Sequence, residues 1–219
     1  MRQNISLAEI SDGHLYKAND MVKADCGGCE GCSQCCRGMG NSIILDPYDV
    51  YRLITGIGKS MQELLATSVE LNVVDGVILP NLKMQGTREA CAYLDAEGRC
   101  SIHPYRPGIC RLFPLGRHYE NGGLFYFLQT GECVKENRSK VKVSKWIDTP
   151  ELKRNEQFKL QWHDLLSTMT DRVAGEDEGK QREENLLLLR LFYLLPYEDT
   201  TDFYSQFTER MEHWNEQIG

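Results

Sequence analysis

Apolar residues recur along this chain with two periods, and the change from one to the other divides it. Near the start of the first periodic region, Asp46 followed by Pro47 is an N-cap and a first-turn proline, and Val50, Leu53 and Ile54 follow at helical spacing. Ser60-Met-Gln-Glu63 is a capping box leading into Leu64 and Leu65. Gly56-Ile57-Gly58 is the expected linker, so the pattern predicts a helical hairpin, with nothing in it that marks a DNA reader. Short alternating pieces come next. Val73-Val74 and Val77-Ile78-Leu79 flank Asp75-Gly76, a hairpin signal, and Leu124–Leu128 follow the turn Asn121-Gly122-Gly123. Small hairpins of this kind are expected to frame a site.

The second region is helical. Thr149-Pro150 predicts the start of a helix carrying Leu152, Phe158, Trp162, Leu165 and Leu166, closed by the loop Gly175–Gly179. A second helix is expected over about Lys180–Leu195, stopped by Pro196, and a third from Asp202 towards Trp214. Their apolar residues read as core. No internal repeat or low-complexity tract interrupts the chain.

Cysteine usage sharpens this division. All nine cysteines lie between Cys26 and Cys133, and the last 86 residues have none. The predicted fold is therefore a small α+β protein. Residues 1–148 form a cysteine-rich, metal-organised core of short hairpins and helices, and residues 149–219 form a helical C-terminal extension packing on it.

At 219 residues the chain buries roughly 70% of its unfolded surface, so a core needs no covalent staples. A formal charge of −7 and no basic stripe exclude the usual face for nucleic acid. Met1–Asp25 lacks the charged start, apolar run and small-residue cleavage site of a signal peptide. The longest apolar run, Leu186–Leu195, is broken by Arg190 and is half the length of a membrane span. Both observations point to the cytoplasm and to no membrane partner. In that reducing compartment an odd, dense set of thiols reads as metal binding rather than disulfides.

The first cluster is Cys26-Gly-Gly-Cys29-Glu-Gly-Cys32-Ser-Gln-Cys35-Cys36-Arg37-Gly38. CxxC steps let tight turns aim thiolates at one centre, and glycines at 27, 28 and 31 permit the left-handed backbone such wrapping needs. Successive steps of this kind enclose four-iron clusters, and paired steps make zinc sites. In extended chain, adjacent Cys35 and Cys36 would point to opposite sides, so they serve two centres, share one, or leave one thiol for packing or resolving. A second set follows in Cys91, Cys100, Cys110 and Cys133. Eight or nine thiolates exceed one four-ligand site.

From Gln85 to Val134 there are five arginines (Arg88, Arg99, Arg106, Arg111, Arg117) and no lysine, which suits hydrogen bonding to buried anions. A four-thiolate zinc site and a [4Fe–4S]2+ cluster both carry −2, so the arginines do not choose between them. His103, three residues after Cys100, is a candidate ligand as in Cys3His sites, although a lone histidine is more often structural. Tyr105, Phe113 and Pro114 read as packing around the site.

These residues resemble the CxxCxxCC (YkgJ-type) cysteine-cluster family of zinc- or iron-chelating domains. The match runs through Cys29-x2-Cys32-x2-Cys35-Cys36-Arg37, Asp49 and Arg52-Leu53, Cys91-Ala-Tyr93-Leu94, and Cys100-Ser-Ile-His103-x2-Arg106-Pro107-x2-Cys110-Arg111-x-Phe113-Pro114. It covers roughly residues 26–135. The resemblance implies metal ligation by Cys29, Cys32, Cys35, Cys36, Cys91, Cys100 and Cys110, and the second cysteine set adds Cys133 as a candidate ligand. The resemblance also implies that Cys26 is an addition and that His103 stands where relatives carry tyrosine. Kinship with flagellin lysine-N-methylases implies a [4Fe–4S] cluster and methyl transfer, but no separate glycine-rich loop for S-adenosylmethionine is present. The leading expectation is an iron–sulfur protein with a redox or group-transfer role. The alternative is a structural zinc module whose C-terminal helices meet a protein partner. A reversible Cys35–Cys36 redox pair ranks third, because no strand–helix context for such a pair is present. No serine–histidine–acid triad, phosphate loop or paired-carboxylate motif argues independently for an enzyme.

Overall fold

The computed structural model describes residues 6–27, 29, 32–135, 137–175, 177–198 and 200–218. The fold is α+β, with short antiparallel hairpins ahead of a helical C-terminal region. After a single turn, α1 (Leu7–Ile10), the chain enters β1 (Met21–Asp25) and then the first cysteine cluster.

Helices α2 (Pro47–Ile57) and α3 (Met61–Thr67) form where their caps predict. The α2 cap is reciprocal: Asp46 accepts the Asp49 N–H at 3.0 Å, and Asp49 accepts the Asp46 N–H at 3.3 Å. Ser60 and Glu63 close the same box on α3. The linker begins two residues later than expected. Gly58 ends α2 in the left-handed conformation (φ 65°), while Gly56 is helical and lies against the Tyr105 ring.

The hairpin β2 (Val69–Val74)/β3 (Val77–Leu82) turns through Asp75 and Gly76, both at positive φ, as a two-residue loop matched to strand twist requires. Hairpin β4 (Met84–Gln85)/β5 (Ala90–Cys91) follows, and α4 (Gly108–Leu112) leads into β6 (Leu115–Glu120) and β7 (Gly123–Leu128). The β6–β7 turn is Asn121-Gly122, so Gly123 already belongs to the strand. β8 (Ser139–Lys142) returns to pair with β1, Val22 opposite Val141, so one ladder closes over the whole cysteine-bearing stretch.

Beyond α5 (Val143–Ile147), Glu151 sits at φ 50° and delays α6 to Leu152–Val173. α7 (Glu178–Leu189) starts inside the expected loop because Asp177 caps the Gly179 and Lys180 N–H groups; Glu176 of that loop lies outside the described residues. It runs on as a π turn, Arg190–Leu194, before α8 (Phe203–Ile218). Among the described residues no helix is long and apolar enough to cross a membrane.

Two apolar clusters hold these elements. The larger joins Leu45, Leu53, Leu64 and Leu82 to Phe158, Phe192 and Phe207 of the C-terminal helices. Full burial of each such side chain contributes about 1.5–3 kcal/mol. Tyr193 adds a buried hydrogen bond to the Leu45 carbonyl at 3.0 Å. The smaller cluster packs Val22, Leu112, Leu115, Tyr126 and Val143 between β1, α4, β6–β7 and α5.

Candidate metal centre

The cysteine loop is wound by local backbone geometry. Gly27 (φ 71°) and Cys29 (φ 60°) are left-handed, and the Cys32 N–H donates to the Cys29 carbonyl at 3.1 Å. The left-handed conformations expected of Gly28 and Gly31 lie outside the described residues. Cys26 and Cys29 sulfurs stand 3.5 Å apart. Cys35 and Cys36 are not extended; they occupy a 3-10 turn, Gln34–Cys36. With three residues per turn, neighbours diverge by about 120° rather than 180°, so both thiols reach one side.

The remaining thiols come from rigid turns behind this loop. The Gly38 N–H donates to the Glu89 carbonyl at 2.9 Å, tying the loop to the hairpin whose β5 carries Cys91. The Asp95–Arg99 turn, with Gly98 at φ 73°, delivers Cys100. Cys110 rides on α4, whose first N–H, from Gly108, donates to Asp49 Oδ1 at 2.7 Å. Arg99 Nη1 donates to the Cys29 carbonyl at 3.3 Å and joins the two halves.

The result is a cavity of about 290 Å³ lined by seven cysteines: Cys29, Cys32, Cys35, Cys36, Cys91, Cys100 and Cys110. Cys26 and Cys133 are not among its lining residues. Among the described residues no three donors are drawn together into a ready-made ion site; the sulfurs surround a space rather than a point. No disulfide links any of the nine cysteines. The soft donor set suits zinc or an iron–sulfur cluster and disfavours hard cations.

Burial dominates the electrostatics. It pushes the Cys29 thiol up to about 12, helped by the Cys26 sulfur and opposed by Arg106. Cys35 is raised by its contact with Cys36 and by burial, and Cys91, Cys100 and Cys110 are raised chiefly by burial. Without a cation these sulfurs favour the protonated form; a bound metal reverses that preference.

The arginines divide by task. Arg99 and Arg106 line the cavity. Arg52 and Arg111 both donate to the Pro104 carbonyl, and Arg111 also to the Asp148 carbonyl at 3.0 Å, so they fix the backbone turn His103–Tyr105. His103 lines the cavity with its Nε2 engaged by Arg106 Nη1, and burial beside that arginine lowers its pKa.

A buried charged cluster behind the thiols was not foreseen from the sequence. Asp49 and Lys159 are both nearly inaccessible, 4% exposed each, and Lys159 Nζ contacts Asp46 Oδ2. Burial raises Asp49 to about 6 and lowers Lys159 to about 7, while the Gly108 N–H and Arg117 act against the rise at Asp49. The signal was present: Asn155 and Lys159 fall on the same helical stripe as Phe158 and Trp162, polar residues at core positions.

A family model described as CxxCxxCC, "Putative zinc- or iron-chelating domain", matches residues 28–142, just over half of the chain. No match is found among curated proteins or among solved structures.

Proposed function

The chain belongs to the CxxCxxCC family of cysteine-ligated metal-binding domains, and on that premise we propose that its thiols hold an iron–sulfur cluster of the [4Fe–4S] type, with a redox or group-transfer role in a reducing cytoplasm. One observation carries the choice: seven cysteines line a single cavity of about 290 Å³. A structural zinc ion takes four ligands at about 2.3 Å and leaves no room between them. Seven sulfurs around a space fit a larger inorganic core with sulfurs to spare.

Within this reading Cys91, Cys100 and Cys110, set on hairpin and helix, form the firm side of the site. Cys29, Cys32, Cys35 and Cys36 form the side contributed by the loop. The cluster would supply one-electron redox chemistry or a Lewis-acid iron. Arg99 and Arg106 offset the negative charge of the thiolates, and the Arg52 and Arg111 bonds to Pro104 hold their segment in place.

Protein prepared without oxygen should be brown and contain iron and acid-labile sulfide in equal amounts. Colourless protein with one equivalent of zinc and no sulfide would replace this reading with the structural zinc module, its C-terminal helices then facing a protein partner.

A further inference from the structure

A second cavity, of about 580 Å³, lies directly against the first; Ser42, Ile109, Leu115 and Gln129 line both. Its volume falls within the range of small-molecule sites. One wall is apolar, with Val77, Leu79, Trp162 and Leu166, and another carries Tyr119 and His163, stacked at 3.9 Å with planes 4° apart.

Asp49, Arg117 and Lys159 also line this cavity, and their charged heads converge beside Gly108. A Cβ on Gly108 would stand 3.1 Å from Arg117 Nη2, 3.3 Å from Asp49 Oδ1 and 3.4 Å from Lys159 Nζ, so the bare glycine lets the three heads gather. Two of the three heads are satisfied. Lys159 meets Asp46, and Asp49 accepts the N–H groups of Gly108 and Asp46. Asp75, on the β2–β3 turn, also lines the cavity and has a partner of its own. Arg117 acts on Asp49 through space, yet among the described residues no carboxylate closes an ion pair with it. An arginine fork left open at the polar end of an apolar cavity matches a carboxylate in shape and charge.

We propose that this cavity binds a small molecule with a single carboxylate head and an apolar body, the head on Arg117 and the body against Trp162 and Leu166. Such a ligand would rest one residue layer from the thiol cavity, since Ile109 and Leu115 form the common wall. The inference rests on this cavity and not on which metal the thiols hold.

The test titrates 3-phenylpropionate into the full chain as purified, read by calorimetry and by tryptophan fluorescence, with metal content measured on the same sample. The uncharged 3-phenylpropanol tests the head, and inorganic phosphate tests an anion without a body. Saturable one-site binding of the acid is expected, weakened about tenfold or more in the alcohol, in phosphate and in Arg117→Gln. Leu166→Trp, which fills the space for the body, should weaken the acid without touching the head. Absence of saturable binding at millimolar acid would overturn the proposal. So would equal binding of acid and alcohol, phosphate binding as tightly as the acid, or folded Arg117→Gln and Leu166→Trp variants that bind unchanged.

Discussion

His103 presents Nε2 to Arg106 Nη1 within the lining of the thiol cavity. A guanidinium only donates, so Nε2 accepts and the imidazole proton sits on Nδ1. The contact uses the nitrogen lone pair that a metal would need. His103→Gln should therefore keep the metal content of the parent protein, measured by elemental analysis after anaerobic purification. A loss of half the metal or more would make His103 a ligand.

Cys110 and Cys133 should separate cleanly. Cys110 lines the cavity and packs against the larger apolar cluster, whereas Cys133 stands outside the lining. Cys110→Ala is expected to lose most of the bound metal, and Cys133→Ala to retain it. Equal losses in the two variants would extend the ligand set to the loop after β7.

Metal affinity should rise with pH. Burial holds the Cys29 thiol near 12 and raises Cys91, Cys100 and Cys110, so each ligating sulfur must release a proton as metal enters. Mass action then strengthens binding by up to about tenfold per pH unit for each proton released. Chelator competition at about pH 6 and about pH 8 measures the slope, and a flat response would mean the sulfurs are already ionised.

Asp49 makes stability depend on pH in the opposite sense from an ordinary paired carboxylate. Its pKa rises from 3.8 to about 6 on folding, so between those values the folded state binds more protons than the unfolded one. Stability is fullest below about pH 4 for this group and is lost as pH rises through about 6. Denaturant unfolding of Asp49→Asn should lack this component while retaining the acceptor for Gly108. An unchanged pH profile in the variant would place the effect on another group.

Gly56→Ala should destabilise the fold. A Cβ at this helical position would lie 2.2 Å from Tyr105 Cδ1, against a ring in the turn that carries His103. Overpacking of this kind costs about 1–3 kcal/mol, read as a lower denaturation midpoint. A neutral result would show that the Tyr105 ring moves aside freely.

What could be read from the sequence was local. The Asp46 and Ser60 caps and the Asp75-Gly76 turn each hold their cause within a few residues, and each appears where expected. The vicinal pair was read on an extended chain, and a 3-10 turn forms there instead. Lys159 left a weaker trace, since only its position on the Phe158–Trp162 stripe betrays its burial. The β1–β8 ladder had no local trace, because its two strands lie on either side of the cysteines.

That ladder also sets an order of events during synthesis. Asp25 pairs with Ser139, so β1 leaves the ribosome 114 residues before its partner does. At about 5–20 residues per second, that interval lasts roughly 6–23 s. Throughout it the nascent cysteines lack their closing frame and stand open to metal and to oxidants alike.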